Sequence, residues 1–200
     1  MLTYIIAILL LINPYMFGKS DISQGWWLIL QVFLTTFAMP AFAVLMMKNL
    51  GLVSSIEMEE RTDRIIPYIT TGLFYLWVFM SVRKNNTFPQ IYSVAVLGAT
   101  IGLFLAFFFN NFTKVSAHAT GVGGLLGIML ISMRWFSYSY FYFGATRMAI
   151  PVYWLLMGVL LLTGLVCTAR LLLKVHEPKD ILQGFILGLV GMWAAAWFLI

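Results

Sequence analysis

ARLLLKVHEPKD, residues 169 to 180, lies where one long apolar run, Ala149 to Leu173, gives way to another, Ile181 to Ile200. It carries Arg170, then His176 after five intervening residues, then Asp180 after three more. An apolar chain does not need an arginine, a histidine and an aspartate at such a boundary merely to fold, and ionisable groups at a membrane surface point to function. His176 and Asp180 are four apart, so a helical turn starting near His176 sets both on one face. A carboxylate there fixes the imidazole tautomer and makes the histidine a candidate nucleophile or base. Pro178 suits the first turn of a helix, not its middle. The plain alternative is a charged interfacial cap between two spanning helices.

Composition decides the class around this stretch. Of 200 residues, 62% are hydrophobic and 10% charged, against about 25% charged in a soluble domain. The chain reads as an all-α, polytopic transmembrane helical bundle forming a single membrane domain over residues 1–200. The lone Cys167 sits in an apolar run and allows no internal disulfide. The first run has no basic start and no small-residue cleavage site after it, so it does not read as a cleaved signal peptide. The net charge of +5 reports topology and an affinity for anionic lipid. No nucleic-acid partner is expected, and the sequence leaves the oligomeric state open.

In order, Leu2 to Phe17 is apolar but short for a crossing, which takes about 20 residues. It is either a short span or a membrane-embedded segment packed against others. Trp26 to Met47 is a full span anchored by Trp26 and Trp27, with Pro40 expected to kink or break it. Ile65 to Val82, Phe88 to Asn110 and Ala119 to Met133 follow. Gly121, Gly123, Gly124 and Gly127 in the last of these suit close helix packing. The aromatic stretch from Arg134 to Arg147 reads as an interfacial connection or short helix, since an open strand cannot sit in lipid. Ala149 to Leu173 and Ile181 to Ile200 complete the spans.

Three polar clusters interrupt these runs: Glu57 to Arg64, Lys114 to His118, and Arg170 to Asp180. Two apolar segments separate each cluster from the next, so all three return to one face of the membrane. That face holds Lys48, Arg61, Arg64, Lys114, Arg170, Lys174 and Lys179. The other holds Lys19, Arg83, Lys84, Arg134 and Arg147. With Arg61, Arg64, Lys114 and Arg170 assigned to a site, the remaining count is three against five. The site is then expected on the non-cytoplasmic face of the cell (inner) membrane.

These residues carry a resemblance. The chain resembles the type 2 phosphatidic acid phosphatase family, which also includes the vanadium haloperoxidases. That family's third motif is Ser-Arg, five residues, His, three residues, Asp; Ala169, Arg170, His176 and Asp180 match it with alanine in place of serine. Its second motif is Pro-Ser-Gly-His, and here Val115, Ser116, Ala117 and His118 keep the serine and the histidine. Its first motif, Lys, six residues, Arg-Pro, aligns on Pro67 with Glu59 and Ile66 in the cationic places, so neither matches. Arg61 and Arg64 are the nearby cations that can replace them.

The resemblance implies a six-helix core, about residues 26–200, with one extra N-terminal membrane segment. It implies hydrolysis of a membrane lipid phosphate or isoprenoid (di)phosphate through a phosphohistidine, with no cofactor and no metal. In that scheme His176 attacks phosphorus, Asp180 orients it, and His118 is general acid and base. Arg170, Ser116, Arg64, Arg61 and Lys114 hold the phosphate. Transfer of the phosphoryl group to another hydroxyl is the first alternative. The altered first motif leaves another: a non-catalytic lipid-binding or transport protein of the same fold.

Overall fold

The computed structural model describes residues 1–19, 25–54, 62–84, 88–136, 139–143, 148–174 and 176–200. Its helices are α1 (Leu2–Ile12), α2 (Trp26–Phe33), α3 (Met39–Asn49), α4 (Ile65–Arg83), α5 (Gln90–Asn110), α6 (Ala117–Trp135), α7 (Tyr153–Leu172) and α8 (Pro178–Leu199). A π-helical turn, Leu34–Ala38, joins α2 to α3, which run on as one helix. The result is an all-α, polytopic bundle of about seven helices. Five are long and apolar enough to cross a membrane: Trp26–Asn49, Ile65–Arg83, Gln90–Asn110, Tyr153–Leu172 and Pro178–Leu199.

Pro40 does not break its helix. Proline lacks an N–H, and its ring crowds the carbonyl four residues back. The turn before it widens to π geometry, a usual way to absorb such a clash. Thr36, buried in that turn, donates its hydroxyl to the Val32 carbonyl at 2.7 Å.

The short first run resolves as an embedded segment. Eleven residues of helix reach only about 16 Å, against about 30 Å of hydrocarbon. Leu2, Ile5, Ile6, Leu9, Leu10 and Ile12 are all buried, and α1 packs on α2, α5, α6 and strand β1 (Tyr140–Phe143). Met1 lies in mid-bundle, where a side chain on Gly124 would meet its Cε.

The aromatic connection after α6 is neither a helix nor featureless. Tyr140–Phe143 pairs antiparallel with β2 (Met148–Pro151), Tyr140 opposite Pro151 and Phe143 opposite Met148. Of the two readings the connection stands and the short helix does not, and the strand pairing escapes the sequence reading, which weighs only a strand inside the hydrocarbon. This hairpin lies at the end of the bundle, where α6 stops and α7 starts, with Phe141 buried against the core.

At the centre, α6 and α8 run parallel and α5 runs antiparallel to α8. Small residues allow this. A Cβ on Gly188 would overlap the Thr120 carbonyl, and one on Gly123 the Phe185 carbonyl. A Cβ on Gly191 would stand 2.6 Å from the amide nitrogen of Gly102. In lipid such close backbone approach is a main source of helix association. Consequently α4, α6 and α8 all begin at one end of the bundle, and α3, α5 and α7 finish there. All seven tryptophans stand in the other half, among them Trp26 stacked on Trp27 and Trp135 edge-on to Trp193.

Candidate active site

The end where α4, α6 and α8 begin carries the polar clusters. The α6 start is set by Ser116, whose extended backbone is followed by the helix and whose Oγ accepts from the Ala119 N–H at 3.4 Å. The Ser116 N–H donates to the Asp180 carbonyl at 3.2 Å, and Thr113 Oγ1 donates to Gln183 Oε1 at 2.8 Å. The second and third polar stretches are therefore tied together. His118, in the first turn of α6, is exposed. Ser116 is fully buried, so it acts here as a helix cap behind the histidine, whereas the sequence suggested a direct phosphate donor.

The α8 start explains the opening stretch. Glu177 is the cap and Pro178 the first helical residue, the position where a missing N–H costs nothing. Asp180 Oδ2 accepts from the Glu177 N–H at 3.1 Å, closing a reciprocal capping box. The same oxygen lies 3.6 Å from His176 Nδ1. His176 thus meets Asp180 across a capping turn and not along a continuous helix, with the same pairing as the result. At 3.6 Å the contact is just beyond hydrogen-bond length, and Nδ1 has no other partner among the described residues. Catalytic hydrogen bonds are commonly long before substrate arrives.

Charge converges on the two imidazoles. Burial first, then the cations Lys114 and Arg64, push His176 below its ordinary histidine value, and Asp180 pulls it part of the way back. His118 lies within reach of the charges of Arg170 and His176. Arg64 caps α4 and is only 9% exposed, and Asp180 only 3%. Asp63 accepts a hydrogen bond from Ser54. The structure therefore brings together His118, His176, Asp180, Arg64, Lys114 and Arg170, with Ser116 behind them. Arg61 and the acidic residues Glu57, Glu59 and Glu60 lie outside the described residues.

Two residues at the site escaped the sequence reading. Tyr68 is one turn beyond Arg64 on α4 and within reach of its charge. Its position four residues after an arginine was the available signal. Asn110, at the end of α5, is 1% exposed and its side-chain oxygen has no partner among the described residues. The signal was an asparagine pair closing a phenylalanine-rich run.

Below this cluster a cavity of about 130 Å³ opens between α4, α5, α6 and α8. Among the described residues no three His, Cys, Asp or Glu side chains gather as metal ligands. Chemically, the cluster combines two imidazoles and three cations with one buried carboxylate, Asp180, behind His176. Compared with protein-family models, curated proteins and solved structures, the chain matches none of them.

Proposed function

We propose that this membrane protein is a phosphatase of a lipid phosphate or isoprenoid (di)phosphate, of the type 2 phosphatidic acid phosphatase kind, with its site on the non-cytoplasmic face. The observation that carries the reading is the meeting of His118 and His176 with Arg64, Lys114 and Arg170 where three helices begin. Helix N-termini and arginine forks both favour a phosphate dianion.

The proposed chemistry is a two-step displacement. With Nδ1 of His176 turned to Asp180, its Nε2 is the free nucleophilic nitrogen. Nε2 attacks phosphorus, a P–N bond forms, and the P–O bond to the leaving group breaks. His118 gives that oxygen a proton. In the second step His118 takes a proton from water, the water oxygen attacks phosphorus, and the P–N bond breaks to release phosphate. Arg64, Lys114 and Arg170 neutralise the phosphoryl oxygens that would otherwise repel each nucleophile. These cations supply the charge stabilisation, so the reaction is expected to run without added metal.

The departures in the first motif, Glu59 and Ile66, favour a second reading as a lipid-phosphate binder without turnover. One experiment separates the two. Purified protein in detergent, given a panel of lipid phosphates and isoprenoid diphosphates in the presence of chelator, should release inorganic phosphate. His176→Ala should reduce the rate by roughly 10⁴-fold or more. Binding without release across the panel would leave only the binder, and phosphate appearing on an added alcohol would make the protein a transferase. Orientation is tested by cysteines placed at Lys179 and Lys84 in intact cells. Label on Lys84→Cys alone would reverse the proposed face.

A further inference from the structure

The cavity beneath the cluster is the feature the phosphate chemistry leaves unused. Its upper wall includes Ala117, adjacent to His118, and Tyr68, one turn from Arg64. Its deep end is closed by Met192 and Met1. From Ala117 to Gly124 along α6 the depth is about 10 Å. The lining is mainly glycine, alanine and methionine, with the Tyr68, Tyr75 and Thr120 hydroxyls as its side-chain polar groups. The Thr120 hydroxyl already donates to the Ser116 carbonyl at 3.1 Å. A space of this order accepts one benzene-sized apolar group.

We infer that this cavity receives the apolar segment next to the phosphate of the bound molecule, and that Gly121 sets how wide that segment can be. This rests on the cluster above being a phosphate site. Gly121 lines the cavity, and a Cβ there would meet nothing nearer than Met1 Sδ at 3.8 Å. Its missing side chain is therefore not needed for helix packing, unlike that of Gly188 or Gly123. The glycine leaves open a volume that any larger residue would occupy. Specificity for an apolar chain then comes from the room kept free at one position, since a chain leaving lipid gains little from burial alone.

The test uses water-soluble probes and the full chain in lipid nanodiscs, with binding read by titration calorimetry. Hexylphosphonate should bind wild type at least tenfold more tightly than methylphosphonate, the gain that two buried methylene groups bring. Gly121→Leu should erase that preference while methylphosphonate affinity stays unchanged. Gly121→Val, a smaller filling, serves if the leucine variant does not fold. Gly158→Leu, on the open face of α7, should keep the preference. An unchanged preference in Gly121→Leu or Gly121→Val overturns the inference, as does equal binding of both phosphonates to wild type. Phosphate release from lipid phosphates, measured on the same samples, judges hydrolysis separately. Release with no chain preference removes the pocket and leaves the phosphatase. A glycine-dependent preference without release leaves the pocket and removes the phosphatase.

Discussion

α6 and α8, which hold His118 and Asp180, are in backbone contact along their shared length through Gly123, Gly184 and Gly188. α7, which holds Arg170, is built differently. Only Val159 on it is buried, and a Cβ on Gly158 or Gly164 would meet nothing within 4 Å. Leu161 and Leu165 are 69% exposed and face the surroundings of the bundle. The same residue type has opposite meaning in the two places. On α8 glycine permits contact that no other residue allows, and on α7 it is a position without a neighbour. His118 and Asp180 therefore stand on the most closely packed pair of helices in the bundle, and His176 directly before one of them. Arg170 stands on a helix with few neighbours.

The largest effect expected from breaking this contrast is at Gly188. Gly188→Leu drives a side chain into the Thr120 backbone, at a cost of about 3 kcal/mol or more. Folded, monodisperse protein should be lost on size-exclusion chromatography. The same change at Gly158 should leave both yield and activity near wild type, and equal behaviour of the two variants would dissolve the contrast. Next in size is Arg64, which belongs to the packed side of the site. Arg64→Ala should lower kcat/KM tenfold or more with the fold intact, and Arg64→Lys should recover part of it, since charge returns without the fork. Full activity in Arg64→Ala would transfer the task to the other cations.

The pH profile gives a smaller, signed effect. His176 must be neutral to attack, and it is held below the ordinary histidine value of about 6.5. In the proposed mechanism activity should therefore rise with pH along an acid limb lying below that value, as His176 loses its proton, and fall again at higher pH as His118, the acid of the first step, loses its own. Lys114→Met removes a repelling cation, so the limb should move up in pH. Asp180→Asn removes a stabilising anion, so it should move down. Movement of both in one direction would show that another group is being titrated. The smallest effect is at Lys174, in the turn between Arg170 and His176, with φ of 54°. A side chain in this left-handed conformation costs about 1 kcal/mol relative to glycine. Lys174→Gly should raise the melting temperature by a few degrees with kcat unchanged, and a fall in melting temperature would show that the lysine side chain holds the turn.

How much of this was legible in the sequence differs by scale. The gathering of Arg64, Lys114, His118, Arg170 and His176 at one end followed from counting apolar segments between polar ones, because each crossing reverses the chain. Pro178 as the first residue of α8 followed from proline chemistry alone. The packing did not follow. Lipid-facing and core-facing residues are equally apolar here, so periodicity cannot tell the buried face of α6 from the open face of α7. For the same reason Gly123 and Gly158 look alike until their neighbours are known. The cavity, Tyr68 at its rim and Met1 at its floor depend on four separate helices meeting. The pairing of Tyr140–Phe143 with Met148–Pro151 depends on two segments finding each other.

The confinement of every tryptophan to the half away from the histidines makes the molecule optically one-sided. Its ultraviolet emission arises from one half of the bundle, from Trp26, Trp27, Trp77, Trp135, Trp154, Trp193 and Trp197. A brominated lipid restricted to one leaflet would dim the light strongly from one side and weakly from the other. The intact, unlabelled chain thus carries a built-in marker of which way up it sits.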